Sequence, residues 1–491
     1  MARALLVIAA GALLAFGFAP YGFYPLAFIS LAVLFYLTRG VTPRRAAFLG
    51  WCYGVGMFGH GVWWIQVSIH QFGLPLYSFS VTTTALFALF LALYPAIAIY
   101  VACRLTLPNS LSRTLWAMPL LWVLVEWIRG WFLSGFPWLE LGYSQTDSWL
   151  AGFAPVFGAL GVSMAVAVVA GALVVVVTGA RREKILSALC VALICVAGNL
   201  LRSHEWTRPS GQTLSVALVQ GAIPQTVKWQ AQYRAVTFEL YQALSEAHWG
   251  KSVIIWPETA IPAFPEEVQN ELAALTARAV TTNTTLLVGA PTGDRRVGPY
   301  YNSVMLLDGT GQHYDKHHLV PFGEYLPFDQ WVRPVLNFLA IPMSDFAPGK
   351  HKQAGLVSGG AEYGVTICYE DAYASEVIKA LPQANILVNV SDDAWFGDSI
   401  APHQHLQITR MRALEAGRAF LRATNTGISA VIDHHGRVTA RSPQFREFVL
   451  TGVAELRTGA TPFVRFKNYP VLVGIALGLV LVRFNATRQR V

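Results

Sequence analysis

Long apolar runs fill residues 1–201 and return at 469–484, whereas 212–456 alternates short apolar stretches with polar ones. A membrane span needs about 20 mostly apolar residues. Seven candidate spans precede the mixed region, at 4–18, 24–37, 46–67, 78–103, 115–133, 149–178 and 185–201, and an eighth follows it at 469–484. The first two are short and flank Ala19-Pro20-Tyr21-Gly22; Pro and Gly punctuate helices, so this pair predicts a tight helical hairpin. No convincing small-x-small cleavage site precedes the second run, which favours a retained span over a cleaved leader. The pattern predicts a multi-span α-helical membrane bundle of eight transmembrane helices, interrupted by a water-soluble domain. Seven helices fall in 1–205, the soluble domain in 212–456, and the last helix with its tail in 465–491.

Within 212–456 the apolar runs are short and β-branched. Strands are predicted at 214–218, 253–256, 285–288, 303–307, 363–367, 386–390 and 430–433, and helices at 233–247, 266–281, 374–380 and 403–417. Strands interleaved with helices indicate an α/β domain. About 240 residues suffice for two layers of sheet and two of helix.

The chain has 491 residues, 54% hydrophobic and 13% charged, about half the charged share of an average soluble domain. That excludes a disordered chain and a purely soluble enzyme. A net charge of +8 could signal nucleic acid, but Lys and Arg sit mostly in short loops between apolar runs, without a basic stripe. In an eight-span chain one face collects Arg3, then Arg39, Arg44 and Arg45, then Arg104 and Arg113, then Arg181, Arg182 and Lys184, then Arg483, Arg488 and Arg490. Positive charge stays in the cytoplasm. Both termini are thus predicted to be cytoplasmic and the soluble domain to face outward, into the periplasm of a Gram-negative cell. Cys52, Cys103, Cys190 and Cys195 lie in or beside apolar segments, leaving Cys368 alone in the soluble domain without a disulfide partner there.

Polar positions narrow the chemistry. Glu126 and Arg129 lie three apart on one predicted span, where pairing would lower their cost in an apolar medium. The aromatic, glycine-rich stretch 130–143 follows at the outer surface. In the soluble domain Glu258 stands at the mouth of the strand at 253–256, and Lys316 lies in Tyr314-Asp-Lys-His-His-Leu-Val-Pro-Phe-Gly-Glu-Tyr-Leu-Pro327. Cys368 follows the strand at 363–367 and precedes a predicted helix. A cysteine at such a turn can be exposed near a helix N-terminus, which favours thiolate. A carboxylate could take its proton and an ammonium could stabilise the anion formed on a carbonyl oxygen, as acyl transfer through a thioester requires. Taken singly, each also fits an ordinary place: a core cysteine, a solvated glutamate, a surface lysine.

The flanking sequences add specificity. Trp256-Pro-Glu-Thr-Ala260, His318-Leu-Val-Pro-Phe-Gly-Glu-Tyr325 after Lys316, and Cys368-Tyr-Glu370 resemble the Glu–Lys–Cys triad segments of the nitrilase superfamily. One membrane-embedded branch, the apolipoprotein N-acyltransferases, is similar in further blocks. These are Val219-Gln-Gly-Ala-Ile-Pro-Gln225 with Lys228-Trp229, Asn389-Val-Ser-Asp-Asp-Ala-Trp-Phe-Gly-Asp-Ser399, Pro402-His-Gln-His405 and the 130–143 loop. The likeness runs over almost the whole chain. It implies a nitrilase-like αββα sandwich on the periplasmic side of a bacterial inner membrane, working without cofactor or metal. The implied reaction moves an acyl chain from the sn-1 position of a phospholipid, such as phosphatidylethanolamine, to a cysteine thioester. The acyl chain then passes to the α-amino group of the diacylglyceryl-cysteine of an apolipoprotein.

By the same resemblance Cys368 is the nucleophile, Glu258 the general base and Lys316 the oxyanion stabiliser. Glu324 is a further acidic residue of the site, Tyr369 and Glu370 flank the nucleophile, and Trp229 lies near the substrate entrance. Trp395 and Phe396 belong to a mobile aromatic loop, and Asp392 departs from the Asn of many relatives. Apolar loops at 394–396 and 322–328 are expected to keep water from the thioester.

Other readings are weaker. His317-His318, His403 with His405, and His434-His435 lack the Cys pairs or HExxH spacing of a metal site, and His60 and His70 read as packed or interfacial. A membrane-anchored amidase would use the same triad but would not need seven preceding spans. A transporter or scaffold would not need the triad. No nucleic-acid motif is present, and nothing in the sequence demands more than a monomer.

Overall fold

A computed structural model of the chain describes residues 1–73, 76–294, 298–338 and 345–488. It divides into two units, one formed by Met1–His70, Leu76–Glu205 and Arg465–Val491, the other by Gln71–Pro75 and Trp206–Val464.

The first unit is helical throughout its apolar runs. Among the described residues four helices are long and apolar enough to cross a membrane: Tyr77–Leu105, Trp149–Thr178, Arg181–Arg202 and Tyr469–Arg488. Ala2–Ala15 and Pro25–Leu37 are apolar but only 14 and 13 residues long, and they flank the predicted Pro-Gly break. The run at 46–67 becomes the helix Pro43–Gly61, which starts with Arg44 and Arg45 and is rich in glycine. The run at 115–133 becomes a π-helical turn, Ser112–Ala117, continued by Met118–Arg129. Arg490, one of the arginines expected to set the topology, lies outside the described residues.

Small residues let these helices approach closely. A Cβ on Gly11 would lie 2.0 Å from the Tyr53 carbonyl oxygen, and Ser30 Oγ donates to the Ala10 carbonyl at 2.6 Å. The direct pairing expected for Glu126 and Arg129 is absent among the described residues. Glu126 Oε1 instead accepts from Trp122 Nε1 at 2.9 Å and from the Leu141 amide at 3.0 Å. Arg129 Nη1 donates to the carbonyls of Phe136 and Trp138. The 130–143 loop supplies most of these partners, while Glu126 Oε2 and Arg129 Nη2 stay buried without a hydrogen bond among the described residues.

Among the described residues the second unit has twelve strands: β1 Arg208–Gln220, β2 Val253–Trp256, β3 Thr285–Gly293, β4 Tyr300–Leu306, β5 His313–Asp315, β6 Leu356–Ser358, β7 Ala361–Ile367, β8 Ile386–Ser391, β9 Phe420–Thr424, β10 Ala430–Ile432, β11 Val438–Arg441 and β12 Phe448–Thr458. They form two six-stranded sheets, in the orders β12-β1-β2-β3-β4-β5 and β11-β10-β9-β8-β7-β6. At the centre of each, β1, β2 and β3 run parallel, as do β7, β8 and β9.

Side-chain alternation along the strands makes the layers. Leu214, Val216 and Leu218 of β1 face the space between the sheets, where they meet Val365, Ile367, Val388 and Leu421 from the other sheet. The opposite face of β1, with Ala217 and Val219, packs with Trp256 under Phe238 and Tyr241 of the helix Arg234–Ser245 and Leu275 of Gln269–Thr281. The second sheet turns Leu387, Phe420 and Ile432 outward against Val377 of Ala374–Val377 and Leu406 and Ala413 of Ala401–Ala416. Helix, sheet, sheet, helix is the layering expected of the soluble part.

Candidate active site

Ligand sites in α/β sheets gather at the carboxyl ends of parallel strands, and three marked residues lie just past strand ends. Glu258 follows β2 after one proline, Lys316 directly follows β5, and Cys368 directly follows β7. Cys368 adopts φ +52°, a left-handed conformation that is uncommon for a residue with a side chain and frequent at functional turns. β3 makes room for the Glu258 segment with Gly289, where a Cβ would lie 2.2 Å from the Pro257 carbonyl oxygen and 2.8 Å from Glu258 Cα.

The charges are tightly arranged. Lys316 Nζ lies 2.8 Å from Glu324 Oε1 and 3.7 Å from Glu258 Oε1. Asn302, on β4, donates through Nδ2 to both carboxylates, at 2.7 Å to Glu258 and 3.0 Å to Glu324. Glu258 Oε2 accepts the Asp392 amide at 2.8 Å, and Glu324 Oε2 accepts the Val320 amide at 2.8 Å. Cys368 lies within electrostatic reach of Glu258 and Lys316, with the Ser391 hydroxyl near its thiol.

Burial dominates the proton affinities. It raises the Glu258 carboxyl, opposed by the Lys316 ammonium and reinforced by Glu324 and Asp392. Burial works against the charge of Lys316, yet Glu324 and Glu258 outweigh it and hold the ammonium above its ordinary range. The expected exposed thiolate is corrected: Cys368 is 8% exposed, and burial followed by the nearby Glu258 pushes its thiol well up, against the pull of Lys316. The short turn Cys368–Ala372 that follows has too little helix to offset that burial. Burial and the nearby Glu258 thus disfavour a free thiolate before substrate binds.

Glu370 joins two of the three segments. Its Oε1 accepts the amides of His317 and His318 at 2.7 and 2.9 Å, while Oε2 accepts the Ile367 amide at 2.8 Å. Burial raises its carboxyl to about 7, against the pull of the His318 and Ile367 amides. Tyr369 packs edge-on against Tyr373, with ring centroids 5.1 Å apart. Trp229 is half-exposed, and Trp395 stacks edge-on against Phe72, centroids 4.5 Å apart, with Phe396 beside it half-buried.

Several polar residues behind these segments had no assigned role in the sequence. His405 bridges Asp371 at 2.7 Å and Asp393 at 3.0 Å, and Arg422 reaches the same two carboxylates at 3.2 and 2.7 Å. Arg422 also donates to Asn389 at 2.9 Å, and Asn389 donates to the Cys368 carbonyl at 3.1 Å. Burial and Arg422 oppose the charge on His405, but Asp371 and Asp393 raise it to about 9. The two aspartates thus favour the protonated form of His405, and His317 pairs with Glu376 at 3.1 Å. Asn302 carried no signal beyond a polar position in a strand. The histidine–aspartate–arginine cluster was signalled only by charged residues inside apolar elements.

Comparison with known proteins places the chain. The family model for the apolipoprotein N-acyltransferase N-terminal domain matches residues 10–172, and that for carbon-nitrogen hydrolases matches residues 215–460. An apolipoprotein N-acyltransferase of Methylococcus capsulatus is 42% identical over 490 residues, covering 100% of this chain and 97% of its own length. One from Coxiella burnetii is 39% identical, covering 98% of this chain and 100% of its own. Among solved structures, a carbon-nitrogen hydrolase from Helicobacter pylori is 16% identical, with a TM-score of 0.36, covering 53% of this chain and 94% of that one. With a nitrilase-like α/β domain and relatives aligned from end to end, the chain belongs to the apolipoprotein N-acyltransferase family.

Proposed function

We propose that the protein completes lipoprotein maturation by moving an acyl chain from the sn-1 position of a phospholipid, such as phosphatidylethanolamine, to the N-terminal amine of a diacylglyceryl-cysteine. The observation that carries this reading is the buried cluster of Lys316 between Glu258 and Glu324, with Cys368 on a left-handed turn within electrostatic reach.

In the first half-reaction the Cys368 sulfur attacks the ester carbonyl carbon as its proton passes to Glu258. Lys316 stabilises the oxyanion. Collapse breaks the ester C–O bond, the departing lysophospholipid oxygen takes the proton from Glu258, and an acyl thioester remains. In the second, the neutral α-amine attacks the thioester carbonyl and gives a proton to Glu258. The C–S bond breaks, the sulfur recovers the proton, and the triacylated product leaves. This is a ping-pong exchange in which Glu258 begins and ends each half as carboxylate.

Glu324 and Glu370 support the reading by fixing Lys316 and its loop. Tyr369 flanks the nucleophile. Trp229, Trp395 and Phe396 would contact lipid or acceptor, and exposed Phe322 and Phe328 would help to keep water from the thioester.

Donor and acceptor are both lipid-anchored, which explains a catalytic domain carried on a membrane bundle. In the proposed topology eight helices cross a bacterial inner membrane, seven in 1–205 and one in 465–491. The catalytic domain at 212–456 is periplasmic, both termini are cytoplasmic, and the enzyme acts as a monomer.

The test is transfer from a fluorescent phospholipid to a synthetic diacylated lipopeptide. Wild type should label the peptide and Cys368→Ser should not. Undiminished transfer by Cys368→Ser would refute the assignment.

A further inference from the structure

One buried ion pair beside Glu258 is not part of the triad. Lys228, ending the one-turn helix Gln225–Lys228, pairs with Asp392, whose side chain caps the turn Asp393–Phe396. Both side chains are almost fully buried, 3% and 2% exposed. Each also grips Glu258. Lys228 Nζ donates to the Glu258 carbonyl at 2.9 Å, and the Asp392 amide donates to Glu258 Oε2 at 2.8 Å. Asp392 Oδ1 accepts from Asn425 Nδ2 at 3.1 Å, and that nitrogen also donates to the Ile223 carbonyl at 2.8 Å. The backbone bearing Lys228 is thus anchored near both of its ends.

We infer that Lys228 and Asp392 are positioning residues for acyl transfer, bracing the base Glu258 at its backbone and its carboxylate and tying it to the segments that bear Trp229 and Trp395. This rests on the reading of Glu258 as general base. A buried ion pair is a poor source of stability, since desolvation cancels most of the attraction, but it fixes geometry and fails expensively when one partner is removed. As a neutral pair it supplies donors to Glu258 without adding net charge. Trp229 directly follows Lys228, and Trp395 lies three residues after Asp392, so the pair and its bonds to Glu258 couple both aromatic segments to the base.

The charged groups facing Glu258 are Lys316 after β5, Glu324 from the following loop, Asp392 after β8, Cys368 after β7 and Lys228 at its backbone. Taking away Lys228 leaves the Asp392 carboxylate uncompensated beside Glu258, and a like charge makes a carboxyl hold its proton more tightly. Taking away the charge of Asp392 has the opposite sign.

The experiment is alkylation of Cys368 by iodoacetamide in the detergent-solubilised full-length protein, read by peptide mass spectrometry as a function of pH. Lys228→Met should move the profile up by about one pH unit or more, and Asp392→Asn should move it down. The double variant Lys228→Met/Asp392→Asn should return it toward wild type, which a generally loosened fold would not do. If Lys228→Met fails to fold, the near-isosteric Asp392→Asn alone carries the sign test. Profiles unmoved by Asp392→Asn, or a double variant retaining the full Lys228→Met shift, would overturn the inference. Glu258→Gln separates the two levels. If it shifts the profile while the pair variants do not, only the inference falls; if it shifts nothing, the base assignment falls and takes the inference with it.

Discussion

Glu370 accepts the backbone amide of His317 at 2.7 Å, linking the turn that carries Cys368 to the residue after Lys316. The same carboxylate holds the His318 and Ile367 amides, so one buried side chain ties the nucleophile's turn to the segment that bears the ammonium.

Glu370→Gln should disturb this link, because a carboxamide places an NH2 where a second acceptor is needed. Hydrogen bonds to charged groups contribute roughly 1.5–3 kcal/mol. The expected outcome is a lower melting temperature for the catalytic domain and thioester formation slowed about tenfold or more. Stopped-time acylation with a fluorescent phospholipid measures the second effect, and wild-type rates would show that the clamp is dispensable.

Asn302 bridges Glu258 and Glu324 through a single nitrogen. Asn302→Ala removes a donor from both carboxylates, and Glu258 then holds its proton more tightly. Acylation should slow by roughly one to two orders of magnitude at neutral pH. Its acid limb should move to higher pH, a shift visible in initial rates across a buffer series.

Lys316 is buried against two carboxylates. Lys316→Met leaves them uncompensated, and breaking such a group typically costs about 3–5 kcal/mol. Activity should vanish. Lys316→Arg keeps the charge but not the compact ammonium, so it should restore folding better than turnover. Melting curves and transfer assays on the same preparations separate the two.

The αββα layering was legible because apolar runs such as Val253–Trp256 and 386–390 are buried on both faces and stand out from polar surroundings. β9 escaped notice because Arg422 sits in its middle; the charge belongs to a buried cluster that sequence does not reveal. β12 was hidden by the polar half of its alternation, and the short β5, β6 and β11 carry too few apolar residues to stand out from polar surroundings. The motif residues were legible through their flanks. The residues behind them were not: Asn302, Lys228 and His405 matter through partners 44, 164 and 34 positions away. Thiol ionisation was misjudged for a related reason, since the turn after β7 was visible in sequence and its burial was not.

His405 gives a pH signature. Its imidazolium is raised from 6.5 to about 9 in the fold, so its contribution is fully present below about 6.5 and is lost as pH rises through about 9. At 1.36 kcal/mol per unit this amounts to roughly 3 kcal/mol. Thermal unfolding of wild type should weaken over that window, whereas His405→Gln should start less stable and change little between the same limits.

In the proposed mechanism Cys368 carries the acyl chain between donor and acceptor. The most direct test is intact-peptide mass spectrometry of the full-length protein incubated with phospholipid and no acceptor. A palmitoyl-sized, hydroxylamine-labile adduct should appear on the peptide containing Cys368, disappear on addition of diacylated lipopeptide, and be absent in Glu258→Gln. An adduct confined to another cysteine, or steady transfer with Cys368 never acylated, would contradict the account.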